Sequence, residues 1–434
     1  MAIDRTHDAA SNGWPFDAAG WRPSITICGS GNGAHALSVV ASQNADADID
    51  WLAGSEERAR LLRRGLSGNG LRSTGAVAAR ADRIRRISAD PAEVIPGADL
   101  VLILVPAFAH GRVLRRIAPY LSEGTALGCM PARGGFEFEA TEVLASGARE
   151  HPTIFGLQTL PWSTRVTRPG ELVHIGAVKR EVVLAALPTS RAAAIAERLE
   201  GMLGTHVNPT DSFLGLTLGN PGQSIHPALM YGHFRSWRGE EYDEHAIPLL
   251  YAQATHEMGE LVGRLSHEAL AVTRQLEAGS GGILNLRGGV IPIHAWLRRV
   301  YGHLCETSTI AASFRTGPIK ARKAPMLEVR PGKFVPNFGY RYLSEDVPFG
   351  LVATHALAEI ADIKTPAIDE VITWTQSVLN RNYIAGGRLQ AADTSELPIP
   401  QNYGITNLTE LIDWYSQRAA TFGVSRLREP AIPR

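Results

Sequence analysis

Short apolar runs alternate with helix-like stretches through the first two hundred residues. The runs at residues 24–28, 49–52, 99–106, 126–130 and 153–156 predict β-strands. The run at 99–106 is almost continuously apolar, which is typical of a strand buried on both faces of a parallel sheet. Residues 58–64 and the stretch that follows the first strand favour helices between the strands. Alternating strands and helices predict a doubly wound parallel sheet.

From about residue 199 the pattern changes to longer helical repeats separated by glycine- and proline-rich loops. Helices are predicted at residues 251–265, 295–304, 351–360 and 368–379. The predicted fold class is therefore α/β plus all-α, a doubly wound Rossmann domain followed by a mostly helical domain. We divide the chain into an N-terminal extension at 1–21, a dinucleotide-binding domain at 22–200 and a helical domain at 201–434.

The composition and charge of the chain limit the functions that we expect it to have. The 434 residues carry 43 Lys plus Arg and 43 Asp plus Glu, so no overall charge points to nucleic acid or to a membrane surface. The polar first 21 residues do not resemble a signal peptide, and no apolar run has transmembrane length. Three widely spaced cysteines form neither a disulfide framework nor a metal motif. We expect a cytoplasmic protein with small-molecule partners and no metal, and its oligomeric state is left open.

A glycine-rich segment follows the first strand. Gly29, Gly31 and Ala34 have the spacing of a dinucleotide loop, directly before a helical pattern. The first glycine permits a tight turn, the second lets the backbone approach a pyrophosphate, and the small third residue lets helix pack on strand. We expect this loop to bind the cofactor through residues Gly29, Ser30, Gly31, Asn32, Gly33 and Ala34. The competing interpretation is a plain strand–helix turn.

The second strand lacks the acid that usually binds the ribose of NAD. Residues 52–55 contain no carboxylate, whereas Ser55 and Arg58 follow closely. These two residues either hold the 2′-phosphate of NADPH or serve as the cap and first turn of a helix. Pro106 and His110, after the strand at 99–106, are further candidates for cofactor contacts, with loop packing as the alternative for His110.

Three residues of the helical domain have the chemistry needed to reduce a bound 2-oxo acid. The planar fork of Arg341 matches a carboxylate, and His226 is the candidate acid–base group, because the unperturbed pKa of histidine lies close to neutral pH. Asp346 can orient that histidine by accepting a hydrogen bond from its ring. Taken singly, each residue is explained as well by a structural ion pair or a helix start.

Several ordered motifs strengthen this interpretation. They span both predicted domains: GSGNGAH at 29–35, VPAFAH at 105–110, TLPW at 159–162, IHPA at 225–228, FGYRYLSEDVP at 338–348 and PQNYG at 400–404. Through them nearly the whole chain resembles the octopine dehydrogenase family of opine dehydrogenases.

The resemblance implies an active site in a cleft between a Rossmann domain and a helical opine-dehydrogenase domain. These enzymes condense an amino acid with a 2-oxo acid, often pyruvate, and reduce the imine with NADH or NADPH. His226 and Asp346 would then form the catalytic pair, and Arg341 would hold the oxo-acid carboxylate.

The chain departs from octopine dehydrogenases in the expected amino-acid pocket. Gln158 stands where they carry glutamate, and Asn220 where they carry methionine, while Trp296 matches an aromatic wall or is a core residue. An amide cannot neutralise a guanidinium, so arginine is not the expected amino substrate. Two other functions stay open: an NAD(P)-dependent 2-hydroxy-acid dehydrogenase, and a nucleotide-sensing protein without catalysis.

Overall fold

The computed structural model describes residues 22–122, 124–147, 152–286 and 288–421. The predicted extension at 1–21 lies outside the described residues. None of the helices in the described ranges is both long enough and apolar enough to span a bilayer.

The N-terminal domain is built on an eight-stranded sheet whose strand order is β12-β11-β8-β7-β6-β1-β2-β5. Neighbouring strands are parallel, except that β11 runs antiparallel to β8. The strands of this domain are β1 (Ser24–Cys28), β2 (Asp48–Leu52), β3 (Leu71–Gly75), β4 (Arg80–Ala81), β5 (Ile84–Ser88), β6 (Leu100–Ile103), β7 (Ala126–Cys129), β8 (Thr153–Leu157), β9 (Trp162–Arg168), β10 (Leu172–Val178), β11 (Glu181–Leu187) and β12 (His206–Thr210).

Helices cover both faces of this sheet, and the doubly wound fold predicted from the sequence is confirmed. They are α1 (Asn32–Ala45), α2 (Glu56–Leu66), α3 (Pro91–Val94), α4 (His110–Ile117), α5 (Phe136–Gly147) and α6 (Ala192–Leu203). One apolar cluster packs α1 and α6 against the sheet, and a second packs α4 and α5 against its other side. Burial of β6 on both faces explains why its sequence is apolar throughout.

A second sheet, of order β4-β3-β10-β9, lies beside α1. The sequence analysis did not predict it. Its strands alternate buried and exposed positions, as in β10, and include many polar residues. Such half-buried strands give a weaker signal than the apolar strands of the main sheet.

The C-terminal domain is mostly helical, as predicted. Its helices are α7 (Phe213–Leu218), α8 (Pro221–Phe234), α9 (His256–Gly279), α10 (Ile293–Tyr301), α11 (Ile310–Thr316), α12 (Arg341–Ser344), α13 (Ala353–Ala361), α14 (Pro366–Leu379), α15 (Ala391–Thr394) and α16 (Leu408–Thr421). A π-helical turn at Val347–Val352 leads into α13. Two small sheets complete it, formed by β13 (Tyr242–Asp243), β14 (Met326–Arg330) and β15 (Lys333–Pro336), and by β16 (Ile384–Ala385) and β17 (Arg388–Leu389).

Several boundaries differ from the sequence-based expectation, most of all the end of the helix predicted at 251–265, which continues to Gly279. Helix α9 begins after Thr255, whose hydroxyl accepts a hydrogen bond from the Met258 amide, so the predicted start at residue 251 is five residues early. The proposed domain boundary after residue 200 falls inside α6, and β12 still pairs with β11. The main sheet therefore ends at Thr210, directly before the first helix of the helical domain.

Candidate active site

The candidate site lies where the order of the parallel strands reverses, between β1 and β6. In a doubly wound sheet this switch point opens a crevice beyond the carboxyl ends of the strands. The glycine-rich loop follows β1, and the segment beginning at Leu104 follows β6. The helical domain contacts this edge, because the Ala107 amide donates a 3.0 Å hydrogen bond to Glu345 Oε1.

A different geometric reason explains why each of these positions in the glycine loop has a small residue. Gly29 adopts a φ of 138°, and a Cβ there would lie 2.5 Å from the Leu104 carbonyl oxygen. Gly31 is the N-terminal cap of α1, which has no side-chain cap, and a Cβ at Gly31 would meet no atom within 4 Å. Gly33 and Ala34 are buried where the helix packs on the sheet. An open backbone at the amino end of a long helix fits a pyrophosphate.

Two polar residues of the loop already have partners. Arg58 donates from Nε to the Ser30 hydroxyl at 3.1 Å and from Nη2 to the Ser30 carbonyl at 3.0 Å. The Asn32 side chain accepts from the Val166 amide at 2.8 Å and so ties the loop to β9. These contacts fix the shape of the loop while its free backbone amides stay available.

The geometry after β2 is compatible with both interpretations of Ser55 and Arg58, as the cap and first turn of a helix and as contacts for a ribose phosphate. Ser55 caps α2 by accepting a hydrogen bond from the Arg58 amide at 3.2 Å. The Arg58 guanidinium meanwhile lies against the glycine loop, where a ribose phosphate would be expected. Residues 52–55 present no carboxylate to a ribose.

The two histidines beside the cofactor loops are buried and neutral. His35 Nε2 accepts from the Gly170 amide at 2.8 Å, and its Nδ1 lies 2.8 Å from the Gly31 carbonyl oxygen. Burial lowers the pKa of both His35 and His110 to about 4. His110 is 2% exposed and its Nε2 lies 3.4 Å from Cys129 Sγ, which places it beneath the loop, whereas Pro106 is partly exposed at its start.

The structure brings His226 and Asp346 together. His226 lies in the second turn of α8, Asp346 directly precedes the π-helical turn, and Nδ1 and Oδ2 are 2.7 Å apart. The His226 ring also stacks on Tyr342, with centroids 4.0 Å apart and 20° between the planes. Because the carboxylate accepts from Nδ1–H, Nε2 is the nitrogen left for a substrate, and the histidine side chain is 24% exposed.

Arg341 lies one helical turn before Asp346. Its Nη2 is 2.8 Å from Glu345 Oε2, and 46% of its side chain is exposed while that of Glu345 is buried. Glu345 therefore anchors one edge of the guanidinium, and the rest of the fork remains accessible to an anion. Glu345 and Tyr342 belong to the motif at 338–348, but no role was predicted for them from the sequence.

Arg133 was missed by the sequence analysis. It follows β7 and forms a buried ion pair from Nη1 to Asp346 Oδ1. Burial alone would raise the pKa of Asp346, but Arg133, followed by His226 and Arg341, lowers that pKa to about 2. Its position just beyond the carboxyl end of a parallel strand was the available sequence signal.

The remaining three predicted residues lie around two adjoining small cavities. Gln158 and Trp296 line one of them together with Arg299 and Glu181, which form an ion pair. Asn220 and Trp296 line the other. Gln158 Nε2 donates to the Gly289 carbonyl oxygen at 2.6 Å.

Both polar atoms of the Asn220 side chain bond to backbone groups. Its Oδ1 caps α8 through the Gly222 amide at 2.9 Å, and its Nδ2 donates to the Gln158 carbonyl oxygen at 2.8 Å. The side chain therefore shapes the cavity wall and starts the helix that carries His226. Within the described ranges, His, Cys, Asp and Glu side chains form no cluster suited to a metal ion.

Comparison with known proteins is consistent with this geometry. Residues 209–379 match the family model described as NAD/NADP octopine/nopaline dehydrogenase, alpha-helical domain. An opine dehydrogenase from Haliotis discus hannai is 31% identical over 404 residues, covering 90% of this chain and 98% of that protein. A tauropine dehydrogenase from Arabella iricolor is 29% identical, covering 89% of this chain and 99% of that protein.

Solved structures agree with these sequence relatives. An octopine dehydrogenase in complex with NADH and L-arginine superposes with a TM-score of 0.77 at 26% identity, covering 90% of this chain and 98% of that chain. The same enzyme class with NADH and pyruvate gives a TM-score of 0.76.

Proposed function

Because the chain belongs to the octopine dehydrogenase family and is an NAD(P)-dependent opine dehydrogenase, we propose that His226 and Asp346 are its acid–base pair and Arg341 its carboxylate clamp. The observation that carries this proposal is the 2.7 Å contact between His226 and Asp346 beside a half-exposed Arg341. The substrates that fit this site are a pyruvate-like 2-oxo acid and an amino acid.

The proposed reaction has three stages. The oxo-acid carboxylate binds the free edge of the Arg341 guanidinium, and the amine attacks the carbonyl carbon to give a carbinolamine. His226 Nε2 then donates a proton to the departing hydroxyl, which leaves as water, and the C–N double bond forms. The nitrogen keeps its own proton, so the product of this step is an iminium ion, and a nicotinamide held at the glycine loop would supply the hydride that converts it to a secondary-amine dicarboxylate.

Asp346 supports the proton transfer without losing its own charge. Its low pKa keeps it ionised at working pH, so it stabilises the protonated ring and keeps Nε2 directed towards the cleft. Stacking on Tyr342 fixes the plane of the same ring. Together these contacts restrict His226 to one orientation.

The glycine loop is the proposed cofactor site. Backbone amides of residues 30–34 would receive the pyrophosphate, with Gly29 forming the turn and Pro106 at the neighbouring strand end. Arg58, and Ser55 beside it, would contact the ribose, and their chemistry favours the extra phosphate of NADPH over the bare hydroxyl of NADH. His110 would support the loop from below.

We propose that the amino substrate has a neutral side chain. Gln158 carries no charge and donates to the Gly289 carbonyl, while the one carboxylate of this cavity, Glu181, is paired with Arg299. Trp296 offers an apolar wall. A guanidinium such as that of arginine would enter without a free counter-charge.

Oxidation of NADPH and NADH at 340 nm tests these assignments. The panel pairs pyruvate, oxaloacetate and 2-oxoglutarate with neutral, acidic and basic amino acids, and includes each oxo acid alone. We expect turnover that requires both substrates, with neutral amino acids preferred to arginine. Turnover with the oxo acid alone would identify a 2-hydroxy-acid dehydrogenase, and cofactor binding without any turnover would favour a nucleotide-sensing protein.

We also place the enzyme in the cytoplasm. Cys28, Cys129 and Cys305 are free thiols, and the first two are buried. Unpaired buried cysteines are typical of proteins that fold in a reducing compartment.

A further inference from the structure

We propose that Arg133 is a positioning residue for the His226–Asp346 pair. Its guanidinium, presented by the N-terminal domain, holds the Asp346 carboxylate in place and keeps it ionised, and thereby sets the proton affinity of His226. This inference rests on the roles proposed above for His226 and Asp346.

The Asp346 carboxylate bridges the two basic groups. Oδ1 accepts from Arg133 Nη1, whereas Oδ2 lies 2.7 Å from His226 Nδ1. The side chains of Arg133 and Asp346 are 4% and 3% exposed. With one strong donor on each oxygen and little water, rotation of the carboxylate would break one of the two contacts.

Arg133 reaches Asp346 from the opposite domain. The segment after β7 approaches the π-helical turn so closely that a Cβ on Gly134 would lie 2.7 Å from the Phe349 carbonyl oxygen. A second cross-domain bond joins the Ala107 amide to Glu345. The catalytic pair, which lies wholly in the helical domain, is therefore oriented by the domain that carries the proposed cofactor loop.

The charges around the pair alternate in sign. Glu345 Oε1 lies 4.0 Å from Arg133 Nη1, and the other Glu345 oxygen contacts Arg341 at 2.8 Å. Arg322 donates to the Tyr342 hydroxyl at 3.0 Å on the far side of the His226 ring. Among these groups Arg133 exerts the largest electrostatic effect on Asp346. Without it, two adjacent buried carboxylates would face one fewer cation, and both Asp346 and His226 would hold protons more tightly.

The hydrogen bonding of Arg133 also points to a functional role. Its Nε and Nη2 are buried and have no hydrogen-bond partner among the described residues. A purely structural buried arginine usually has its donors satisfied, and buried groups that lack partners are often found at functional sites. Asp346 is its principal partner, so removing the guanidinium acts mainly through that carboxylate.

The test replaces Arg133 and follows the titration of His226 directly. In protein labelled at histidine 13Cε1, the His226 signal is assigned by its loss in His226→Gln. In Arg133→Gln we expect the titration midpoint to rise by roughly half a pH unit or more, because a positive charge has been removed. Arg133→Lys keeps the charge and should return the midpoint towards the wild-type value.

The matched control is Arg86→Gln. Arg86 also pairs with a buried aspartate, Asp50, at 2.6 Å, but it lies on β5 at the edge of the main sheet. This variant should leave the His226 midpoint unchanged. An unchanged midpoint in Arg133→Gln, with or without a loss of thermal stability, would overturn the proposal.

A double variant covers the case in which Arg133→Gln alone does not fold. Arg133→Gln combined with Asp346→Asn removes both charges and avoids an unpaired buried carboxylate. If Arg133 acts through Asp346, the double variant should have a kcat within about twofold of Asp346→Asn alone. A further loss of roughly tenfold or more would contradict the inference.

The two readouts separate this inference from the proposed function. The NMR titration needs no turnover, so a shifted midpoint in an enzyme without amine-dependent activity would sustain the positioning role and refute the substrates proposed above.

Discussion

His355 should make stability depend on pH in a direction opposite to that of most buried histidines. It lies on α13 and is 3% exposed, with Nδ1 2.8 Å from Asp369 Oδ1 and Nε2 3.5 Å from Glu359 Oε1. Burial alone would lower its pKa, but the hydrogen bond to Asp369 and the charges of Asp369 and Glu359 raise the pKa to about 9. The folded protein therefore holds this proton more tightly than the unfolded chain.

The contribution of His355 to the free energy of unfolding follows from the shift in its pKa. Moving from the ordinary pKa of 6.5 to about 9 corresponds to about 3–4 kcal/mol, because each pKa unit is worth about 1.4 kcal/mol. Since the folded pKa is raised, the stabilisation is fully present below pH 6.5 and is lost as the pH rises through about 9. For a domain of this size it corresponds to roughly 6–10 °C in Tm.

Thermal unfolding of His355→Gln at two pH values is the assay. At pH 6 the Tm of the variant should fall below that of the wild type by roughly 6–10 °C, and at pH 9.5 the deficit should largely disappear. His233→Gln is the control, because burial lowers the pKa of His233, so its deficit should not shrink between these pH values. Equal deficits of His355→Gln at both pH values would refute the reasoning.

Three further predictions concern the active site. His226→Ala should reduce kcat by about 10²–10⁴-fold, whereas Arg341→Ala should mainly raise KM for the oxo acid; steady-state kinetics would contradict both roles if the variants behaved like the wild type. Gly29→Ala should destabilise the protein by roughly 3 kcal/mol or more, while Gly31→Ala should keep its Tm and weaken NADPH binding, because only Gly29 faces a backbone oxygen at 2.5 Å. Arg58→Ala should raise KM for NADPH roughly tenfold more than KM for NADH, and equal changes for the two cofactors would show that it only shapes the loop.

Most of the structural elements that depend on a local sequence pattern could be predicted. The strand at 24–28, the glycine loop and the following helix were located because an apolar strand, a φ-permissive glycine and a helix start lie next to each other in the chain. The sheet of β3, β4, β9 and β10 was not predicted, because its strands are rich in polar residues and because the pairing of β3 with β10, which joins its two hairpins, links segments about a hundred residues apart.

In the candidate site, too, a contact between residues of recognisable motifs was predicted, whereas contacts without a local pattern were not. His226 and Asp346 belong to recognisable motifs, so their contact across 120 residues was expected. The pairing of Arg133 with Asp346 spans 213 residues and has no local pattern, so it became visible only in the folded chain. Likewise, the burial of His110 depends on the packing of Cys129 and Phe136 around it.

The most direct test of reductive condensation follows the nitrogen atom. Wild-type enzyme is incubated with NADPH, pyruvate and a 15N-labelled neutral amino acid that supports turnover, and the product is examined by mass spectrometry and NMR. We predict a secondary amine in which the labelled nitrogen is bonded to carbons from both substrates, in amounts equal to the NADPH consumed. Recovery of lactate with the labelled amino acid unchanged would contradict the account.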